Sequence, residues 1–217
     1  SEKYGKSSTN VGDEGGYAPP LSESREAFSL IEDAIKKSGY QLGSDFHLGM
    51  DAASSEFYDK NKKVYKVDGK EFTSGEMIDF YEALVNEFSI IYLEDPFDED
   101  DFNSFSEITR RLGNKMLIVG DDLYATNVNY LITGIKEKAT NGALVKVNQI
   151  GTLTETFDYI RLAKENGIMP VISHRSGDTE DSFIADLAVA VGSGIIKTGA
   201  PARSERLSKY NRLIEIE

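Results

Sequence analysis

Asp51, Glu94 and Asp121 each close a short apolar run, Lys146 and Lys197 lie late in two others, and Ser173-His174-Arg175 follows directly from another. With no cysteine in the chain and no neighbouring histidine pair, the three carboxylates form an all-oxygen donor set that suits magnesium better than zinc. Lys146 sits within 143–148, Ala-Leu-Val-Lys-Val-Asn, which otherwise reads as a buried strand. An unpartnered ammonium there is costly unless it finds carboxylates or sheds its proton. Close to a dication and to Lys197, its charged form is disfavoured and the amine becomes a usable base. Arg175 with Ser173 and Ser176 can hold an oxyanion, the guanidinium through paired hydrogen bonds. His174 is open to three readings: ligand, proton carrier or neighbour of the anion. His47, on the strand face of Asp51 but deeper, reads as a satisfied interior histidine. Plainer rivals exist. Strand lysines also snorkel or mark sheet edges, and strand-end acids also cap helices or pair with arginines, the expected fate of one acid in Glu94-Asp95 and one in Asp121-Asp122.

The elements that must position these groups alternate regularly. Residues 10–20, with Gly12, Gly15 and Gly16 around Asp13 and Glu14 and ending in Pro19-Pro20, form a loop. A helix follows, N-capped by Ser22, with an apolar face of Ala27, Leu30, Ile31, Ala34 and Ile35 and a stop at Gly39. Residues 46–51 alternate as a strand, and 58–72 form an exposed, lysine-rich hairpin turning at Asp68-Gly69. Thr73 with Glu76 forms a capping box for a helix buried through Met77, Phe80, Tyr81, Leu84 and Phe88. Strand 90–94, helix 104–112, strand 117–121 and helix 127–138 lead into the lysine strand. A second capping box, Thr152 with Glu155, opens a helix that stops at Gly167. Strand 169–173, helix 181–191, strand 194–198 and helix 204–214 complete six strand-helix units.

Such alternation predicts a parallel sheet with its chemistry at the carboxyl ends of the strands, where the polar groups all fall. One polar group per unit, always at the same end, is hard to explain as core packing. A (βα)8 barrel needs eight units. The expectation is therefore an α/β fold: the last six βα units of a TIM-type barrel plus a preceding helix. Residues 1–217 would be a C-terminal portion whose first strands lie outside this sequence, with sheet edges exposed. A doubly wound open sheet is the rival, but it gathers functional residues at a switch point.

Across 217 residues, 40% are hydrophobic, enough for a sizeable core. A formal charge of −13 argues against nucleic acid or an anionic membrane as a partner, so any phosphate must be held locally by a few cations. Disulfides are excluded, no apolar stretch is long enough to span a bilayer, and the opening Ser1-Glu2-Lys3-Tyr4-Gly5 resembles no signal peptide. The expectation is a soluble, cytoplasmic protein.

Seven motifs carry a family resemblance: 10–16 Asn-Val-Gly-Asp-Glu-Gly-Gly, 51–57 Asp-Ala-Ala-Ser-Ser-Glu-Phe, 93–97 Leu-Glu-Asp-Pro-Phe, 120–123 Gly-Asp-Asp-Leu, 144–153 Leu-Val-Lys-Val-Asn-Gln-Ile-Gly-Thr-Leu, 173–177 Ser-His-Arg-Ser-Gly and 197–206 Lys-Thr-Gly-Ala-Pro-Ala-Arg-Ser-Glu-Arg. In order and content they resemble the enolase family over nearly the whole chain. The resemblance implies a barrel that ends in six βα units after an irregular start. It also implies a lyase of glycolysis and gluconeogenesis that reversibly dehydrates 2-phosphoglycerate, a small phosphorylated three-carbon acid, to phosphoenolpyruvate.

By the same resemblance, Asp51, Glu94 and Asp121 ligate a Mg2+ ion, Lys146 removes the proton from carbon 2 and Glu14 protonates the departing hydroxide. Enzymes of this superfamily pair a lysine or histidine base with magnesium. Arg175 and Ser176 would hold the phosphate, aided by a second magnesium, while His174 and Lys197 contact substrate. A homodimer or higher homo-oligomer is implied. The family's amino-terminal capping domain, a lid serine and a further glutamate and histidine have no counterpart here, so this stretch alone is expected to be inactive or nearly so. Two other readings are a barrel with Lys146 as a Schiff-base lysine, as in aldolases, and a non-catalytic binding protein that keeps the fold.

Overall fold

The computed structural model describes residues 3–217; Ser1 and Glu2, which open the stretch read for a signal peptide, lie outside the described residues. After a loop, α1 (Ser24–Lys37) precedes β1 (Leu48–Asp51) and a small antiparallel sheet of β2 (Tyr58–Asp59), β3 (Val64–Val67) and β4 (Lys70–Phe72). Then come α2 (Ser74–Phe88), β5 (Ile90–Glu94), α3 (Phe102–Leu112), β6 (Leu117–Gly120) and α4 (Val128–Glu137). Next are β7 (Gly142–Val145), the single turn α5 (Val147–Ile150), α6 (Leu153–Glu165) and β8 (Met169–Ser173). The chain finishes with α7 (Phe183–Ala190), β9 (Ile196–Lys197) and α8 (Ser204–Ile216).

The main sheet has six strands in the order β1-β5-β6-β7-β8-β9, every pairing parallel, and it curls into a half-barrel. Strand order follows chain order with no reversal, so there is no switch point and the doubly wound rival is set aside. β1 and β9 each have one neighbour and form the free edges.

Strand alternation sorts the sheet into two faces. Leu93, Ile118, Ala143, Val145 and Ile172 point outward and pack with the helices, joined by Met77, Tyr81, Leu84, Phe105, Leu131 and Tyr159. Val119, Leu144 and Val171, flanked by Tyr92, Leu117 and Ile195, form a separate cluster on the concave face. Two residues beyond the members of that inner layer lie Glu94, Asp121, Lys146, Ser173 and Lys197, and Asp51 stands two beyond Gly49. Period-two geometry therefore stacks a charged layer on an apolar one. A bulge keeps β5 in phase: Leu48 pairs with Ile90 but Gly49 with Tyr92, which leaves Ile91 unpaired and exposed while Tyr92 and Glu94 face inward.

Several local expectations change. α1 begins at Ser24 after Glu23, with no side-chain cap, so Ser22 is not its N-cap. Its predicted apolar face is only partly used: Phe28 and Ile35 are buried, whereas Ala27, Leu30, Ile31 and Ala34 line an open apolar cleft of about 390 Å³ with Tyr4 and Tyr17. His47 is exposed and precedes β1 instead of lying inside it, and among the described residues β1 pairs only with β5. The lysine strand stops at Val145, and Lys146 occupies the N-cap position of α5. The Thr73–Glu76 capping box is complete. At Thr152 only half forms: its hydroxyl accepts from the Glu155 N–H at 3.3 Å and donates to the Glu155 carboxylate at 2.6 Å, and no bond returns to the Thr152 N–H. The hairpin turns at Asp68-Gly69 as expected, both residues at positive φ (49° and 72°).

Leu144 is the apolar residue directly beneath Lys146, and truncating it removes packing that no neighbour can replace. Leu144→Ala is expected to cost about 2–5 kcal/mol, measured by urea unfolding.

Candidate active site

The charged layer resolves into two ion-paired sets. Lys197, at the end of β9, donates to Asp51 and to Glu94, each at 2.6 Å. Lys146 donates to Asp121 at 2.6 Å. Glu94 is fully buried. Burial pushes its carboxyl up, Lys197 pulls it back and Asp51 adds to the rise, for a net pKa of about 7. Burial raises Asp121 as well, against the pull of Lys146. Burial alone would lower Lys197, but Glu94 and Asp51 outweigh it and hold the ammonium charged. Tyr92, beneath this layer, donates its hydroxyl to Glu94.

Backbone ties fix the acids and the amine. Asp95, in a left-handed conformation at φ 42°, places its two carboxylate oxygens on the N–H groups of Asp121 (2.8 Å) and Asp122 (2.7 Å). Asp95, Asp121 and Asp122 do lie close enough together to suggest a cation site. Both Asp95 oxygens are already committed to the backbone, however, so Asp95 acts as an anchor between strands. Structural acids were expected in these two pairs as helix caps or arginine partners; Asp95 is neither. The N–H of Lys146 donates to Thr126 Oγ1 at 3.0 Å, and Thr126 donates to Gln149 Oε1 at 2.8 Å.

A second set stands beside the first. Glu14 Oε2 lies 3.3 Å from His174 Nε2, and Ser176 Oγ donates to Glu14 Oε1 at 3.4 Å. His174 is 2% exposed, and Nε2 has no other group to bond. Contact with His174 holds the Glu14 carboxyl down at about 2, burial opposing and Lys197 and Arg206 assisting. Arg175 reaches sideways to Asn148 Oδ1 at 2.8 Å. Ser173 is not turned toward Arg175, because its hydroxyl donates to the carbonyl of His174 at 3.0 Å. The two sets meet through the backbone, where the His174 N–H donates to the Lys197 carbonyl at 3.0 Å.

The Glu14 loop is held against the β9–α8 loop at unusually close range. The Ala200 N–H donates to the Glu14 carbonyl at 2.8 Å. Gly199, at φ +80°, has no room for a side chain: a Cβ there would sit 2.8 Å from Glu14 O and from Arg206 Cδ.

Every one of the 217 residues matches the family described as "Enolase, C-terminal TIM barrel domain". The chain belongs to the enolase C-terminal barrel family. Curated proteins named "Enolase" from Saccharolobus islandicus, Sulfurisphaera tokodaii and Metallosphaera sedula are 54%, 55% and 54% identical to it over all of its length. The chain spans about half (51%) of each of those relatives. The family implies a divalent metal, and the site offers suitable chemistry: three hard oxygen donors whose charge two lysines only partly offset, and Asp121 Oδ1, buried with no hydrogen-bond partner.

Against this enolase barrel, the sequence-selected residues sort as Asp51, Glu94 and Lys197 in one cluster, Asp121 with Lys146 in a pair, and Glu14, His174 and Ser176 in the second set. Arg175 sits at its flank. Asp95, Thr126, Tyr92 and the buried pair Arg206 and Lys209 were not singled out. Tyr92 had a signal, since it shares a strand face with Glu94, and Arg206 closes the 197–206 motif without a role read for it; Thr126 had none.

Gly199→Ala should destabilise by about 1–3 kcal/mol and loosen the Glu14 loop. Gly39→Ala, at a similar φ of +83° but with open space around it, should cost distinctly less. Thermal unfolding of the two variants, with limited proteolysis at the Glu14 loop, checks both parts.

Proposed function

We propose that this chain supplies the base, the acid and the metal ligands of a magnesium-dependent enolase that interconverts 2-phosphoglycerate and phosphoenolpyruvate in the cytoplasm. The observation that carries the reading is the single rim on which Asp51, Glu94 and Asp121 gather with Lys146 and Lys197. Hydrogens beside a carboxylate are weakly acidic, and removing one adds negative charge to an anion, so a concentrated positive field is needed. Asp51, Glu94 and Asp121 would hold Mg2+, whose charge, when bound, stabilises the electron-rich carboxylate.

Lys146 is the base in this reading. Its amine is held on the rim by Asp121 at 2.6 Å. An Asp121 committed to the metal would release that amine toward the substrate. Glu14 is the acid for the departing hydroxide. As held here it is anionic, so protonation requires that His174 not press a second charge on it and that substrate draw the imidazole away. Arg175 and Ser176 receive the phosphate; Arg175 must leave Asn148 to do so. His174 and Lys197 complete the substrate contacts. No helix among the described residues is long and apolar enough to cross a membrane. Assembly as a homodimer is proposed on family grounds and is tested by light scattering.

The decisive experiment uses the full-length protein. Lys146→Ala is expected to lower proton exchange at carbon 2 of 2-phosphoglycerate by about 10²–10⁴-fold while magnesium binding, measured by calorimetry, persists. Undiminished exchange would assign the base elsewhere, and a borohydride-trapped substrate adduct on Lys146 would point to imine chemistry. Removing divalent metal with a chelator should abolish turnover, and added magnesium should restore it. Activity that survives chelation would overturn the metal-dependent reading.

A further inference from the structure

Arg206 carries more of this site than its position suggests. It lies in the first turn of α8, where the helix dipole disfavours a cation, and it is fully buried. Such a side chain needs compensation, yet its nearest carboxylates, Asp178 and Glu205, are both 4.0 Å away. Its acceptors are neutral groups instead. Nη1 donates to Arg175 O at 2.7 Å and stands 2.9 Å from His174 Nδ1; Nη2 donates to Ser176 O at 2.7 Å and Asp13 O at 2.9 Å. These four bonds use all four terminal guanidinium hydrogens.

A guanidinium has no lone pair to offer, so His174 Nδ1 must accept. That leaves the imidazole proton on Nε2, the nitrogen facing Glu14 at 3.3 Å. An imidazolium would set an N–H against an N–H. We propose that Arg206 is a positioning residue that confines His174 to its neutral Nε2–H tautomer while tying the Glu14 loop to the loop after β8. Building on Glu14 as the acid, this arrangement aims a hydrogen-bond donor at Glu14, which favours its carboxylate, without the full second charge that an imidazolium would add. The charged groups around the ring are Glu14 from the glycine-rich loop, Lys197 from β9, Arg206 and Lys209 from α8, and Arg175, Asp178 and Asp181, which line the same cleft. Lys209 is committed to Asp178 and to two carbonyls, which leaves Arg206 as the cation in contact with the ring.

The test is nitrogen NMR on full-length protein labelled with 15N-histidine, with His174 assigned by subtracting the spectrum of His174→Gln. A bare Nδ1 and a protonated Nε2 near neutral pH are expected. Arg206→Lys keeps the charge but not the fork; it should yield mixed tautomers and lower kcat by about 10–100-fold, with magnesium affinity unchanged. A protonated Nδ1 in the unsubstituted protein would overturn the proposal even if the variant failed to fold. So would an Arg206→Lys protein that retains both the tautomer and kcat. Because the tautomer is read without turnover, a protein that shows the Nε2–H form yet no dehydration refutes the functional reading alone. Loss of turnover in Glu14→Gln alongside a protonated Nδ1 refutes only the role of Arg206.

Discussion

Charge balance at the rim of the curled sheet is the constraint on which the rest depends. Asp51, Glu94 and Asp121 project from neighbouring strands onto one concave surface, where burial of Glu94 and Asp121 makes an unshared charge expensive. Lys146 pairs with Asp121 and Lys197 is shared by Asp51 and Glu94, all at contact distance, above the apolar layer of Val119, Leu144 and Val171. The same ion pairs that make the surface foldable also make it responsive. A dication bound by these carboxylates, as proposed, would leave both lysines without their present partners.

The surrounding framework is built to hold these groups rigidly. Asp95 ties β5 to the start of the segment after β6 through two backbone N–H groups, and it adopts a left-handed backbone to do so. Tyr92 steadies Glu94 from below, and Thr126 fixes the backbone of Lys146. On the other side, α8 inserts Arg206 and Lys209 into the loops that carry His174, Arg175 and Ser176. Asp95, Thr126 and most of the Arg206 bonds join side chain to backbone and restrain the chain path, while Tyr92 and Arg206 also bond directly to the Glu94 and His174 side chains.

Much of this could be read from residue order. Strands ending in Glu94 and Ser173 fall where alternation placed them, because a buried parallel strand is a short apolar run and its inward positions repeat every second residue. Lys146 was placed within its strand and lies one residue past it, since the apolar Val147 that seemed to prolong the strand instead begins a helical turn. His47 was read as interior from alternation alone, but alternation cannot say whether another strand covers that side. Arg206 was illegible for a different reason. Its partners, Asp13 and Arg175 among them, are far away in sequence, and nothing local distinguishes a buried helix arginine from a solvated one.

The bond between Arg206 and the Asp13 carbonyl joins residues 193 positions apart. Contacts of that span form late, since a long loop must close before they return any energy. During synthesis the glycine-rich segment precedes its tether by that whole interval, so the Glu14 loop lacks this bond until α8 docks. A nascent chain therefore has Asp51, Glu94 and Asp121 in place on their strands before the Glu14 loop is tied down, and the second set of side chains is completed only once α8 has docked.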